Sequence, residues 1–155
     1  DRGYRIVETI KAPEVFMIER LFGYDQHSPH HYVARNDCSL MSISKKEVLR
    51  LANQYEIFHI NLLNLISTQA QRSNRRLFRV PPKTISDSII RFFENHCLRP
   101  AGEKNFHIKM DRLAQELNVK RLKVSVALNE METQGLLELH RGRISIPALE
   151  KLINR

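Results

Sequence analysis

Cysteine is scarce in this 155-residue chain: there are two, Cys38 and Cys97, far apart and outside any paired spacing. That excludes a disulfide framework, an iron–sulfur site and a zinc knuckle, and it points to a reducing compartment, the cytoplasm. No apolar run approaches the roughly 20 residues that cross a bilayer, and no secretory leader is visible, so no membrane partner is expected. Also missing are a Gly-rich phosphate loop, an HExxH pair and a Ser/His/Asp set, and the carboxylates are scattered. Asp25 near His27 is the one loop pairing of note, so the chain reads as a non-enzyme without cofactor or metal. An initiator Met is lacking as well, which leads one to expect a fragment or a processed chain starting at Asp1.

Positive charge is plentiful. The net charge is +8 and the isoelectric point about 9.8. Such an excess favours polyanionic partners, nucleic acid ahead of membrane surface because no basic amphipathic anchor is present. Apolar residues at 42% and charged residues at 27% are the balance of an ordinary globular chain.

The character of the sequence changes twice along its length. Residues 1–44 read as strands and loops: Tyr4–Ile10, His31–Arg35 and Leu40–Ile43 carry β-branched and aromatic residues, punctuated by Pro13 and the Gly23–Pro29 stretch. From Ser44 the pattern is helical, with Ser44 and Glu47 at capping-box spacing. A longer helix follows from about Glu56 to Arg79, with Leu63, Ile66 and Ala70 stepping by three and four and Phe58, Leu62 and Leu65 widening the stripe. So wide a stripe fits either a dimerisation helix or the core helix of a monomer. Arg72, Arg75, Arg76 and Arg79 at its end suit the helix dipole. Pro81-Pro82 then stops the helix and marks a boundary.

Beyond the prolines, Thr84 and Asp87 cap a helix with Ile85, Ile89, Phe93 and Cys97 at four-residue steps, and Phe106, Ile108 and Met110 alternate as a short strand. Asp111 is placed to cap a short helix with Leu113, Ala114 and Leu117 inward. Asn118 suits a left-handed turn, and Val119 plugs it. A second helix from about Arg121 turns Val124, Leu128 and Met131 inward and leaves Lys120, Arg121, Lys123, Ser125 and Asn129 outward. Gly135 ends it. Leu137 and Leu139, the turn Arg141-Gly142, then Arg143, Ile144 and Ile146 make a basic-tipped hairpin, and Pro147 opens a last helix with Leu149, Leu152 and Ile153. Helix, strand, helix pair and hairpin in this order describe a winged helix-turn-helix. Its second helix would read the major groove, and Lys109, Arg141 and Arg143 would meet phosphates. The competing reading is a non-catalytic winged-helix module that docks another protein.

Over almost its whole length the sequence resembles the Crp/Fnr family of bacterial transcription regulators. Ile108–Arg121, Val124-Ser125 and Leu128–Glu132 stand in the register of that family's helix-turn-helix, with Gly135–Leu139 leading into its wing. Tyr32–Ser44 looks like the family's last jelly-roll strands and Lys45–Leu51 like the helix before its dimer helix. The resemblance implies an α+β chain in three parts: a partial jelly-roll effector segment (1–55), cut short at its N-terminus, a long dimerisation helix (56–80) and a C-terminal winged helix-turn-helix (81–155). It implies a homodimer on a pseudo-palindromic operator in duplex DNA, with Leu62, Leu63, Ile66 and Ala70 in the dimer interface. RNA polymerase and a small-molecule effector of unknown identity are the further partners.

Departures from the family pattern narrow this expectation. Met17-Ile18 stand where cyclic-nucleotide-binding members have a Gly-Glu pair for the ribose, and Ser28-Pro29 where an Arg-Ser pair holds the phosphate. A buried phosphate without its counter-charge is prohibitively costly, so cyclic AMP is not expected as effector. His27, His30 and His31 read as a polar loop in preference to a metal or haem site. In the second helix Leu122 and Val126 replace the family's glutamate and second arginine. Arg121 is left to contact guanine, and Leu122 or Val126 to pack on a thymine methyl.

Overall fold

The structure, a computed structural model, describes residues 3–28, 30–77 and 80–154. In chain order its elements are β1 (Arg5–Glu8), a 3-10 turn (Ile18–Arg20), α1 (Lys45–Gln54), α2 (Glu56–Leu77), α3 (Ile85–His96), β2 (Lys104–His107), α4 (Met110–Glu116), α5 (Arg121–Thr133), β3 (Glu138–His140), β4 (Arg143–Ile146) and α6 (Leu149–Ile153). The chain is α+β, as expected. It divides into two compact units, Pro13–Arg79 and the remainder, Asp1–Ala12 with Val80–Arg155.

In the unit formed by residues 13–79, α1 and α2 form a helical hairpin. Ser44 caps α1 by accepting from the Glu47 N–H at 3.2 Å, but the Glu47 carboxylate turns to Arg50 at 2.8 Å, so only half of the capping box is made. Val48 and Ala52 pack on Leu62, with Ile18, Leu21, Phe58 and Ile66 around them. This corrects the expected dimer stripe: Leu62 and Ile66 are taken up against α1, whereas Leu63 and Ala70 stay exposed. The expected strands over His31–Arg35 and Leu40–Ile43 do not form; those residues are irregular, and Val33, Leu40 and Met41 are open to solvent. A strand needs hydrogen-bonded neighbours to persist, and the described residues of this unit offer none. Asp25 accepts from the His27 N–H (3.0 Å) and from Arg20 (3.0 Å), with the His27 bond foremost in holding its carboxyl below the usual range. No group of three metal-ligating side chains occurs among the described residues. The Arg72, Arg75 and Arg76 side chains, and all of Arg79 and Pro29, lie outside the described residues.

The other unit is a helical cluster on a four-stranded antiparallel sheet of order β1-β2-β4-β3. Thr84 caps α3 with a complete capping box to Asp87. That helix turns Ile89, Phe92 and Phe93 inward, and Phe93 meets Phe106 with ring centroids 4.5 Å apart. Val124, Leu128 and Met131 of α5 and Leu149 and Leu152 of α6 complete the core. Such a side chain, fully buried, contributes about 1.5–3 kcal/mol.

Two local expectations shift here. The strand expected over Phe106–Met110 runs two or three residues earlier, Lys104–His107, because Lys104 and Phe106 pair with Ile146 and Ile144. And β1, expected to belong with the effector segment, is the outer strand of this sheet, pairing Arg5 with His107 and Glu8 with Lys104. Three alternate residues hold it. Tyr4 packs edge-on against Phe92 at 5.7 Å, Ile6 reaches the core, and Glu8 forms a buried ion pair with Lys104 at 2.8 Å. No helix among the described residues is long and apolar enough to cross a membrane.

Candidate nucleic-acid interface

The helix pair α4–α5 is closed by a turn whose hydrogen bonds are complete. Asn118 adopts φ +53; its N–H donates to the Gln115 carbonyl (3.1 Å) and the Val119 N–H to the Ala114 carbonyl (3.0 Å). That is the Schellman pattern, and asparagine is the non-glycine residue that best tolerates the left-handed position. The same pattern ends α5: Gly135, at φ +69, donates to Glu132 and Leu136 to Met131. Both helix ends therefore satisfy carbonyls that would otherwise be orphaned, which fixes the angle at which α5 leaves the domain.

Asp111 does not cap α4. The N-cap is Lys109, whose side chain makes no capping bond. Asp111 lies in the first turn and pairs with Arg121 at 3.1 Å, both side chains about two-thirds exposed. An ion pair this exposed is worth well under about 1 kcal/mol, so it orients the guanidinium without committing it. The start of α5 is electrostatically unusual. Its N-cap, Lys120, offers no side-chain acceptor, and its first turn holds no acid but does hold Arg121 and Lys123. Cations at the positive end of a helix dipole repel, and an anion brought there relieves both.

On α5 the core takes Val124, Ala127, Leu128 and Met131. Helical periodicity then puts Leu122, Val126, Asn129 and Thr133 (i, i+4, i+7, i+11) along the midline of the opposite face. Leu122 is 74% and Val126 50% exposed. Arg121 and the half-buried Ser125 flank that line on one side, Lys123 and Glu130 on the other, where Lys123 borders a shallow groove with Ile85 and Ser86 of α3. The expected cations thus stand at the margins and two apolar side chains at the centre. Counting outward from Val124 and Leu128 gives the same placement, in keeping with the thymine-methyl contact expected of Leu122 or Val126. In the wing, Arg141 and Arg143 are exposed, and Gly142 at φ +71 supplies the left-handed residue of the two-residue turn.

Residues 85–155 match the family described as the Crp-like helix-turn-helix domain. They are similar to a Crp-like helix-turn-helix domain. The resemblance to the Crp/Fnr regulators is borne out on the C-terminal half of the chain, and with it a DNA-binding module of transcription regulators. Among solved structures, a Ruegeria pomeroyi protein named for cyclic nucleotide binding is similar, at TM-score 0.44 and 15% identity over 71% of this chain and 49% of that one. Reduced CprK without ligand is similar at TM-score 0.40 and 13% identity, over 72% and 56%. The chain spans about half the length of these proteins. No curated protein matches the sequence.

Proposed function

We propose that the chain is a sequence-specific transcription regulator that binds duplex DNA as a homodimer in the bacterial cytoplasm, through α5 and the wing of its Crp-like domain. One observation carries this reading. The outward face of α5 is uncovered, starts with three cations and no acid, and is held by two completed Schellman turns. Because Leu122 and Val126 occupy its midline, the half-site is read by apolar contact with thymine methyls beside a polar contact from Asn129, with Arg121 released from Asp111 to reach guanine. Lys109, Lys120, Lys123, Arg141 and Arg143 serve the phosphates.

A dimer seam is supported on α2 that keeps the expected Leu63 and Ala70 and leaves out Leu62 and Ile66. Ile60, Leu63, Ser67, Ala70 and Asn74 are exposed and follow 4-3 spacing, a narrow coiled-coil stripe beside the face that packs on α1. Asn74 at a heptad position is the kind of residue that fixes register. Ser28-Pro29 stand in sequence where the family's Arg-Ser pair holds a cyclic phosphate, so any effector is of a chemistry other than cyclic AMP.

Selection of bound duplexes from a random pool tests the whole reading. Enriched sites should be paired half-sites with A·T pairs facing Leu122 and Val126. Their absence refutes it. The exposed Leu122 and Val126 also suit a protein-docking winged helix. That reading predicts binding that is flat with salt where DNA binding falls steeply.

A further inference from the structure

The wing does not end at its hairpin. Leu139, Ile144, Ile146, Phe106, Lys104 and Ile6 turn one face of the sheet inward, so the alternate residues share the outer face. Register places four of these in one row across all four strands. Arg5 on β1 pairs with His107 on β2. One step beyond the Phe106–Ile144 pair, His107 stands beside Arg143 on β4, and Arg143 pairs with His140 on β3. At about 4.8 Å per strand the row is about 14 Å long. Arg5, Arg143 and His140 are exposed and His107 is half-buried.

Charge is graded along this face. The next row is Val7, Asn105, Ser145 and Glu138, tied by the Ser145–Asn105 hydrogen bond of 2.8 Å. Its acid, Glu138, lies 3.6 Å from His140, and Glu103 beyond it engages Asn105 at 2.9 Å. The basic row lies instead at the end where β2 runs on to Lys109 and where the Arg141-Gly142 turn projects. The cationic start of α5 is tied by the Arg121–Asp111 pair to the start of α4 at that same end. Wing, helix starts and sheet row therefore lie at one end of the unit, with Arg5 contributed by a strand distant in sequence.

We infer that the Arg5–His107–Arg143–His140 row is a binding surface for the sugar–phosphate backbone of duplex DNA flanking the half-site. The inference rests on the DNA-binding reading above. Arg5 and Arg143 supply permanent charge close to His107, whose own proton binding is opposed first by its partial burial and then by these two arginines. A phosphate laid across the row offsets the charge of the two arginines and leaves the burial in place.

Titration of the whole chain with a random-sequence 30-base-pair duplex and with a selected duplex, between about 50 and 300 mM salt, tests this. Arg5→Gln and Arg143→Gln should each weaken binding to both duplexes by a similar factor, roughly three- to ten-fold near 0.1 M salt. Each should lower the slope of log affinity against log salt by about 0.9, and Arg5→Lys should restore it. Equal thermal midpoints confirm that β1 stays paired. An unchanged slope in Arg5→Gln, while wild type binds, overturns the inference and leaves the DNA reading standing, whatever Arg143→Gln does. So does a loss confined to the selected duplex, which would mean base reading. Failure of wild type to bind either duplex overturns both.

Discussion

Replacing Glu8 by alanine should strongly destabilise the C-terminal unit, far from any residue that would read DNA. Lys104 is 2% exposed in its side chain and Glu8 9%, and their charged atoms are 2.8 Å apart. The other Glu8 oxygen accepts from the Leu98 N–H at 2.6 Å. Glu8→Ala therefore strands an ammonium in the interior and an amide without its acceptor. Breaking one side of a buried pair costs about 3–5 kcal/mol. The unit spans about 90 residues, for which each kcal/mol moves the melting midpoint by about 4–8 °C, so a fall of about 15 °C or more is expected. Adding Lys104→Met removes the stranded charge, and the double variant should regain all but the amide's share, about 1–2 kcal/mol. Thermal and urea melts of the four chains in a double-mutant cycle give the coupling directly. Glu8→Ala within about 0.5 kcal/mol of wild type, or a double variant no better than Glu8→Ala alone, would refute the reasoning, because β1 would then not be docked on β2.

Three further expectations follow from the same geometry. Asn118→Gly should leave stability within a few tenths of a kcal/mol, while Asn118→Val should cost about 1–2 kcal/mol through its left-handed backbone, measurable by urea melts. His107 binds its proton less readily folded than its usual 6.5 allows, through partial burial and then Arg5 and Arg143. The unfolded chain therefore takes the proton first: stability is flat above about pH 6.5 and declines as pH falls below it, and Arg143→Gln should lessen that decline in melts from pH 5 to 8. Ile60→Asp with Leu63→Asp should shift sedimentation from dimer to monomer without lowering helix content; an unchanged mass would remove the α2 seam.

Local chemistry made much of this chain legible before folding. The Thr84 box, the left-handed Asn118 and Gly135, the Arg141-Gly142 turn and the inward periodicity of Val124, Leu128 and Met131 depend on near neighbours in sequence, so the helix-turn-helix and its wing were readable from residue order. The position of Leu122 and Val126 was readable too, by counting around the helix. What depends on distant partners was not. Val33 and Leu40 have strand-like composition but, among the described residues, no neighbouring strand to pair with, and composition carries no record of which partners a segment meets. Ile66 and Leu63 look equivalent on α2 until α1 covers one and leaves the other bare. Glu8 and Lys104 are two ordinary charges until the pairing of β1 with β2 buries them together, and the same pairing brings Arg5 beside His107. Sequence determined the turns, caps and faces, because their energies are local. Only the tertiary structure decided which strand completes the sheet and which charges meet, because those energies exist only between segments that folding brings into contact.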